Sequence, residues 1–388
     1  MRPENLVADK LRPFGTTIFS EMTRLAQEHQ AVNLSQGFPD FEGPPEIVDE
    51  VVRALRSGHN QYARSQGHPR LVEILSEYTK RYLNLTYDPK SEIVITSGAT
   101  EAIASSLMGL LNPGDEVILF EPYYDSYPAA VIMAGGVPKY STLSYPNYEV
   151  DVDDLATLIT DKTRAIIINT PHNPTGKVFS KTELENIATL CIKHDLLVIS
   201  DEVYEHLTYD NTEHLSIANI EHMKERTLRI SSAGKTFSFT GWKIGWAMGP
   251  TSLINAIQAA HQFVTFSTST PIQVGLANAL TNLDPEYFTN LKALYENHRN
   301  FLCDVLTEAG LTLKRPQGTY FVLANFENVF DGNDREFAKH LIQEIGVAAI
   351  PPSAFYARNP ESASKLIRFA FCKERSTLDT AAERLRRL

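Results

Sequence analysis

From residue 93 onward, short apolar runs rich in β-branched residues alternate with longer segments of helical length. Ile93-Val94-Ile95-Thr96, Val117-Ile118-Leu119-Phe120, the run from Thr163 to Asn169, Leu196 to Ser200 and Leu228 to Ser231 read as strands. Continuous apolar runs of this length suit a sheet covered by helices on both faces. Upstream, Ile18, Met22 and Leu25 form one stripe of a helix within 5–32. Pro44-Pro45 opens a helix through Leu55, and another is predicted near 68–83. Ser97-Gly98-Ala99-Thr100-Glu101 turns into a helix that reaches Leu111. After about 285 the pattern changes to a long polar helix from Tyr287 to Ala309, short strands around 311–313 and 320–324, and a helix from about Thr377. The reading is an α/β chain: a large domain over 41–285, and a smaller α/β lobe over 286–388 to which 1–40 adds an arm.

The bulk properties narrow the function classes. The 388 residues carry 36 basic and 47 acidic side chains, a net charge of -11 that gives no support for nucleic-acid binding. Cys191, Cys303 and Cys372 are widely spaced, with no CxxC, which suits reduced thiols and a cytoplasmic location. The segment from Met1 to Leu6 has no apolar signal core, and no run approaches the roughly 20 apolar residues of a membrane span. No HExxH, paired CxxC, Gly-x-Ser-x-Gly or post-strand Gly-x-Gly-x-x-Gly occurs.

The candidate chemistry follows the strands. Between Ser231 and Trp246, Lys235 stands among glycines and hydroxyl residues, with Lys243 eight positions on. A neutral lysine there can join an aldehyde cofactor beside a bound phosphate and later carry a proton, which points to pyridoxal phosphate. Gly98 lets the backbone approach an anion, Ala99 and Thr100 offer helix amides and a hydroxyl, and Ser232 and Lys243 complete a cradle; the bland reading of Ser97–Thr100 is a helix cap. Asp201, at a strand end, can keep a pyridine nitrogen protonated or simply cap a helix. Tyr204 and Asn173 can donate to the cofactor's 3′-oxygen, and the Asn173–Pro174 bond is a candidate for cis. Tyr123 can lie over the cofactor ring or pack in its loop. Arg368, within Leu366-Ile367-Arg368-Phe369-Ala370-Phe371, is costly to bury unless it meets an anion; the candidates are a substrate carboxylate or an internal Asp or Glu.

In order and type, these residues resemble the fold-type I pyridoxal-phosphate enzymes, class I/II aminotransferases, over nearly the whole chain. Asn33-Leu34-Ser35-Gln36-Gly37-Phe38-Pro39-Asp40-Phe41, Asn60-Gln61-Tyr62 and Thr170-Pro171-His172-Asn173-Pro174 are most similar to the branch of kynurenine–oxoglutarate transaminase (glutamine transaminase K) and bacterial methionine aminotransferase. Phe14-Gly15-Thr16-Thr17-Ile18-Phe19 and Gly346-Val347-Ala348-Ala349-Ile350-Pro351 look most like the bacterial methionine enzyme. The resemblance implies a three-layer, aspartate-aminotransferase-like fold with a mostly parallel central sheet. It implies Lys235 as the Schiff-base lysine, Asp201 on the pyridine nitrogen, and Asn173 and Tyr204 on the 3′-oxygen. Tyr123 would stack on the ring, and Ala99, Thr100, Ser232 and Lys243 would bind phosphate. Gly37, Asn173 and Arg368 would meet the substrate, with Ile18, Phe19, Tyr62, Phe263 and Phe355 around its side chain. It further implies a homodimer with shared active sites, in which Tyr62 reaches the partner's phosphate and His261 and Phe263 approach the neighbouring pocket. The chain departs from many members in having lysine at 243 rather than arginine, and it lacks the tryptophan that eukaryotic kynurenine members place near Thr17–Ile18. The implied activity is ping-pong transamination from methionine, glutamine or aromatic L-amino acids to a 2-oxo acid. The alternative is a cysteine-conjugate or cystathionine β-lyase with the same cofactor.

Overall fold

A computed structural model describes residues 6–388; Met1–Asn5, where the sequence lacks an apolar signal core, lie outside the described residues. The first strand, β1 (Val32–Asn33), belongs to a small pair described below. The main sheet is built from β2 (Ile93–Thr96), β3 (Glu116–Glu121), β4 (Val137–Thr142), β5 (Thr163–Asn169), β6 (Leu197–Asp201), β7 (Thr227–Ser232) and β8 (Gly245–Met248). Their order is β2-β8-β7-β6-β5-β3-β4. Every neighbouring pair from β4 to β7 is parallel, and β8 runs antiparallel to both β7 and β2. β2, β3, β7 and β8 are buried at every position, as apolar strands between two helical layers must be. The periodic reading found five of these strands within a residue of their ends. It missed β4, where Val137-Pro138-Lys139-Tyr140-Ser141-Thr142 forms a half-exposed edge of mixed polarity, and β8, whose two glycine-flanked turns obscure four apolar residues.

The second layer system is smaller. β9 (Thr312–Leu313), β10 (Phe321–Asn325) and β12 (Leu366–Ala370) form an antiparallel sheet, while β11 (Val347–Ala348) pairs in parallel with β1. Arg368 lies opposite Leu323 in this sheet. One apolar core joins Ile18, Met22, Ala26 and Leu34 to residues between Leu291 and Leu385, so chain ends distant in sequence share one interior.

Four helices bear on the site. α1 (Ile18–Glu28) starts at Thr17, whose hydroxyl accepts the Ser20 N–H. α2 (Pro45–Arg56) and α3 (Pro69–Leu83) both begin with proline, where its missing N–H costs nothing. α4 (Gly98–Leu110) follows β2 directly. The stripe of α1 differs slightly from expectation: Ala26 is buried with Ile18 and Met22, at spacings of four, while Leu25 is only partly covered.

Candidate active site

The loops that follow β2, β3, β5, β6 and β7 open into one cavity of about 290 Å³, with Arg368 of β12 closing its far wall. Ligand sites beyond strand C-termini are the rule for open α/β sheets. Gly37, Ala99, Thr100, Asn173, Asp201, Tyr204, Ser232, Lys235, Lys243 and Arg368 all line it.

Lys235 sits in the short helical turn Ala233–Thr236 after β7, and its Nζ donates to the Gly37 carbonyl at 3.0 Å. The Tyr320 hydroxyl donates to the same carbonyl at 2.6 Å. Gly37 is required there, since a Cβ would stand 2.4 Å from the Phe321 ring. Burial lowers the Lys235 ammonium from its ordinary value to about 8; Cys372 and Asp201 oppose that shift, and Lys243 and Arg368 add to it.

Asp201 ends β6 and caps no helix. Its carboxylate accepts the Tyr127 hydroxyl at 2.7 Å and the Val203 N–H at 3.3 Å. Burial nonetheless pushes its acid up to about 6, against the hydrogen bonds from Tyr127 and Val203. Asn169 ties its neighbourhood together: Nδ2 donates to the Asp201 carbonyl at 2.9 Å, and Oδ1 accepts the Asn173 N–H at 2.7 Å. The Thr170–Pro171 and Asn173–Pro174 bonds are both cis.

At the other end lies the cradle. Gly98 adopts φ +77, and Ser97 makes no side-chain cap, so the first turn of α4 is not closed by its own chain in that way. β8 presses against this turn so closely that a Cβ on Gly245 would meet the Gly98 carbonyl carbon at 2.5 Å and the Ala99 nitrogen at 2.7 Å. That approach carries Lys243, itself left-handed at φ +53, to the turn, where Nζ lies 3.4 Å from the Thr100 hydroxyl.

Arg368 is buried against the rings of Phe321, Phe19 and Phe355, whose centroids lie 4.1, 5.2 and 5.3 Å from Cζ. It donates to Asn173 Oδ1 at 3.0 Å and to the Ser35 carbonyl at 2.9 Å, and its buried Nε has no partner. Burial brings the guanidinium down to about 10.

Tyr123, Ile18 and Phe355 fall outside the cavity lining. Tyr123 turns its ring to Tyr140, 5.5 Å away, and Tyr124 faces the cavity instead. Ile18 packs into the core, and Phe19, the next residue around α1, lines the cavity. Phe355 stands behind the lining, its ring 5.7 Å from that of Phe19. Tyr62 is 79% exposed and packs on Phe266, away from its own chain's cavity. Of the two residues named with it, Phe263 is exposed, whereas His261 is buried between Glu101 and the Ser65 carbonyl. Sequence reasoning missed Tyr127, Asn169 and Phe321. Tyr124 and Tyr127, three apart across the start of a helix, carried a usable spacing signal; Phe321 carried none.

A lysine, a buried carboxylate, the first turn of α4 and an arginine with no carboxylate partner among the described residues share one cavity. Residues 29–385 match the model of the family "Aminotransferase class I and II". The chain is 42% identical to methionine aminotransferase of Escherichia coli, over 98% of this chain and 97% of that protein. It is 41% identical to kynurenine–oxoglutarate transaminase of Dictyostelium discoideum, over 97% of this chain and 94% of that one. The solved structure of N-succinyldiaminopimelate aminotransferase from Mycobacterium tuberculosis superimposes with a TM-score of 0.95 at 43% identity, covering 98% of this chain and 99% of that one. The chain belongs to the class I and II aminotransferases and has their aspartate-aminotransferase-like fold. It is an amino-acid aminotransferase, exchanging amino groups between amino acids and oxo acids, and its relatives do not favour the lyase alternative. Among the described residues, no helix is long and apolar enough to cross a membrane.

Proposed function

We propose that the enzyme uses pyridoxal phosphate and takes methionine, glutamine or aromatic L-amino acids as donors. The observation that carries the cofactor is the donor set of the cavity. Lys235 lies between a carboxylate held deep at Asp201 and a phosphate-sized cradle at Gly98–Thr100, Ser232 and Lys243, and no helix or ion pair uses up either end. When bound, pyridoxal phosphate supplies an aldehyde for amino groups and a ring that draws electrons from the substrate's α-carbon.

The chain's residues divide the remaining work. Ala99 and Thr100 offer N–H groups to phosphate, with the Ser232 hydroxyl and the Lys243 charge beside them. Asp201 as carboxylate holds a proton on the ring nitrogen, and that proton in turn stabilises its charge. Asn173 and Tyr204 would hold the cofactor's ring oxygen, and Tyr124 would take the stacking role first assigned to Tyr123. The guanidinium of Arg368 grips the donor's carboxylate, with Gly37 and Asn173 at its side. Lys235 would hold the cofactor through its amine, and once free that amine is placed to take the proton from the substrate's α-carbon and return it. Its lowered pKa supplies more free amine near neutrality than an ordinary lysine has.

The donor assignment rests on Phe19, Phe38, Tyr124 and Phe321, four of the six Phe and Tyr rings in the lining. Among the described residues of this chain, Arg368 is the one arginine in that lining, so a distal carboxylate finds no second fork there. The exposed Tyr62 and Phe263 suit a homodimer in which Tyr62 enters the partner's site. We read 41–285 as the cofactor-binding domain, 286–388 with part of 1–40 as the smaller domain, and the cytoplasm as the location.

The test is to load the purified enzyme with pyridoxal phosphate, add single L-amino acids without acceptor, and follow conversion of the cofactor's absorption to that of its amine form. Methionine and aromatic donors should lead. Faster conversion by N-succinyl-diaminopimelate, the compound in the name of the Mycobacterium tuberculosis relative, would overturn the donor assignment. Conversion by no donor would overturn the roles assigned to the site.

A further inference from the structure

Glu121 ends β3, is completely buried, and makes no use of its charge in the site just described. Its carboxylate accepts four hydrogen bonds. Oε2 takes the backbone N–H groups of Ala357 at 2.7 Å and Arg358 at 2.9 Å. Oε1 takes the Asn359 N–H at 3.0 Å and the Thr142 hydroxyl at 2.8 Å. A carboxylate has about four lone-pair sites, so this one is saturated and has none left for substrate or proton transfer. The loop's own cation, Arg358, turns its guanidinium outward to Asp154 at 2.8 Å.

Two residues beyond Glu121, the Tyr123 N–H donates to the Phe355 carbonyl at 2.9 Å. One strand end of the large sheet therefore grips both ends of the segment 355–359. That segment continues from Ile350, which exchanges both backbone hydrogen bonds with Arg368 at 3.0 and 2.9 Å. Phe355, at its head, lies against Arg368 and Phe19. We propose that Glu121 is a positioning residue: a carboxylate latch that fixes Phe355 and so sets the orientation of the Arg368 fork toward the substrate carboxylate. Charge makes the latch selective. Ionised oxygens attract all three amides at once, whereas a glutamine of the same shape must turn its NH₂ toward one pair of donors.

The inference rests on reading Arg368 as the carboxylate fork, and two measurements separate the claims. In E121Q, amide hydrogen exchange at Ala357, Arg358 and Asn359 should speed up by about tenfold or more, while the β3 amides of Ile118 and Leu119 keep their wild-type rates. KM for methionine should rise about tenfold with kcat within about twofold, the split expected when binding geometry alone is disturbed. E121D, which keeps the charge on a shorter stem, should recover part of the KM. Unchanged exchange at 357–359, or an unchanged KM in an active enzyme, overturns the latch; so does faster exchange throughout β3, which would mark Glu121 as a general fold element. Wild-type enzyme that converts no amino acid would overturn the fork reading instead, and exchange still reads the latch. Should E121Q not fold, T142V removes one donor to Oε1 and the acceptor that Asn359 Nδ2 reaches at 2.7 Å. Faster exchange at Asn359 and a KM raised about twofold are then expected, and no change in either overturns the proposal.

Discussion

Of the three arginines that are almost fully buried among the described residues, Arg229 and Arg368 live in opposite surroundings. Arg229, within β7, pairs with the carboxylates of Glu202, at 2.8 Å from Nε, and Glu205. Glu202 also takes the Ser200 and Ser216 hydroxyls at 2.7 and 2.6 Å, and His214 lies 3.0 Å from it. Arg368 meets two neutral oxygens and three aromatic rings. The first charge is neutralised inside the fold by carboxylates; the second has none paired with it and lines the cavity. The lesson is that burial of a charge does not by itself mark function. An arginine whose carboxylates are already present holds structure together; at Arg368, which has none, we propose that a substrate carboxylate binds.

Substitution should separate the two most sharply at Arg368. Arg368→Gln is expected to lower kcat/KM for amino acids by about 1,000-fold, because the substrate carboxylate loses its only buried countercharge. The melting temperature of the cofactor-free protein should not fall, since an uncompensated buried charge is removed. Steady-state kinetics beside calorimetry checks both halves, and a large drop in stability would make Arg368 a second Arg229.

Arg229→Met should reverse the pattern, costing about 3–5 kcal/mol of stability in a denaturant titration, because Glu202 and Glu205 remain buried without their cation. The acid limb sharpens this. Burial works to raise the Glu202 acid, but Arg229, His214 and Ser216 outweigh it and hold the acid down, from 4.5 to about 2. A depressed acid adds stability that is full above its ordinary range and is lost as pH falls through about 2. The wild type should show that loss on acidification, and Arg229→Met should not.

Asp201 gives a smaller effect of opposite sign. Its acid is raised to about 6, so the cofactor-free fold loses stability as pH climbs from the ordinary carboxylate range through that value. Asp201→Asn should therefore stabilise the cofactor-free protein by about 2 kcal/mol at about pH 8 and by nothing near pH 3. Melting curves across pH decide it; equal gains at both pH values would show that the carboxylate is not strained. Smallest of all, Phe19→Leu thins one ring over Arg368 and should change kcat/KM for methionine by less than about 1 kcal/mol, with a larger loss for phenylalanine.

How much of this was readable beforehand varies by region. Strands β2, β3, β5, β6 and β7 were legible because they are continuous apolar runs ended by polar or glycine-rich turns, a local signal. β4 lies on an edge and β8 is short between glycines, so neither carries that signal. Lys235, Asp201, Asn173 and Thr100 were legible for the same local reason, each standing at or just beyond the end of a strand.

What the amino-acid order determined by itself was the chemistry: which groups exist, and at which strand ends they are presented. Facing was decided only by tertiary structure. Tyr123 and Tyr124 differ in role because Tyr140, on the neighbouring strand, takes one ring and leaves the other to the cavity. Ile18 and Phe19 differ because the core fed by the C-terminal third claims one side of α1. The Glu121 latch joins groups 236 to 238 positions apart, and such partners become neighbours only once both sheets have packed. Local sequence sets backbone direction within an element through short-range sterics, whereas the side that meets a partner depends on contacts the chain acquires only on folding.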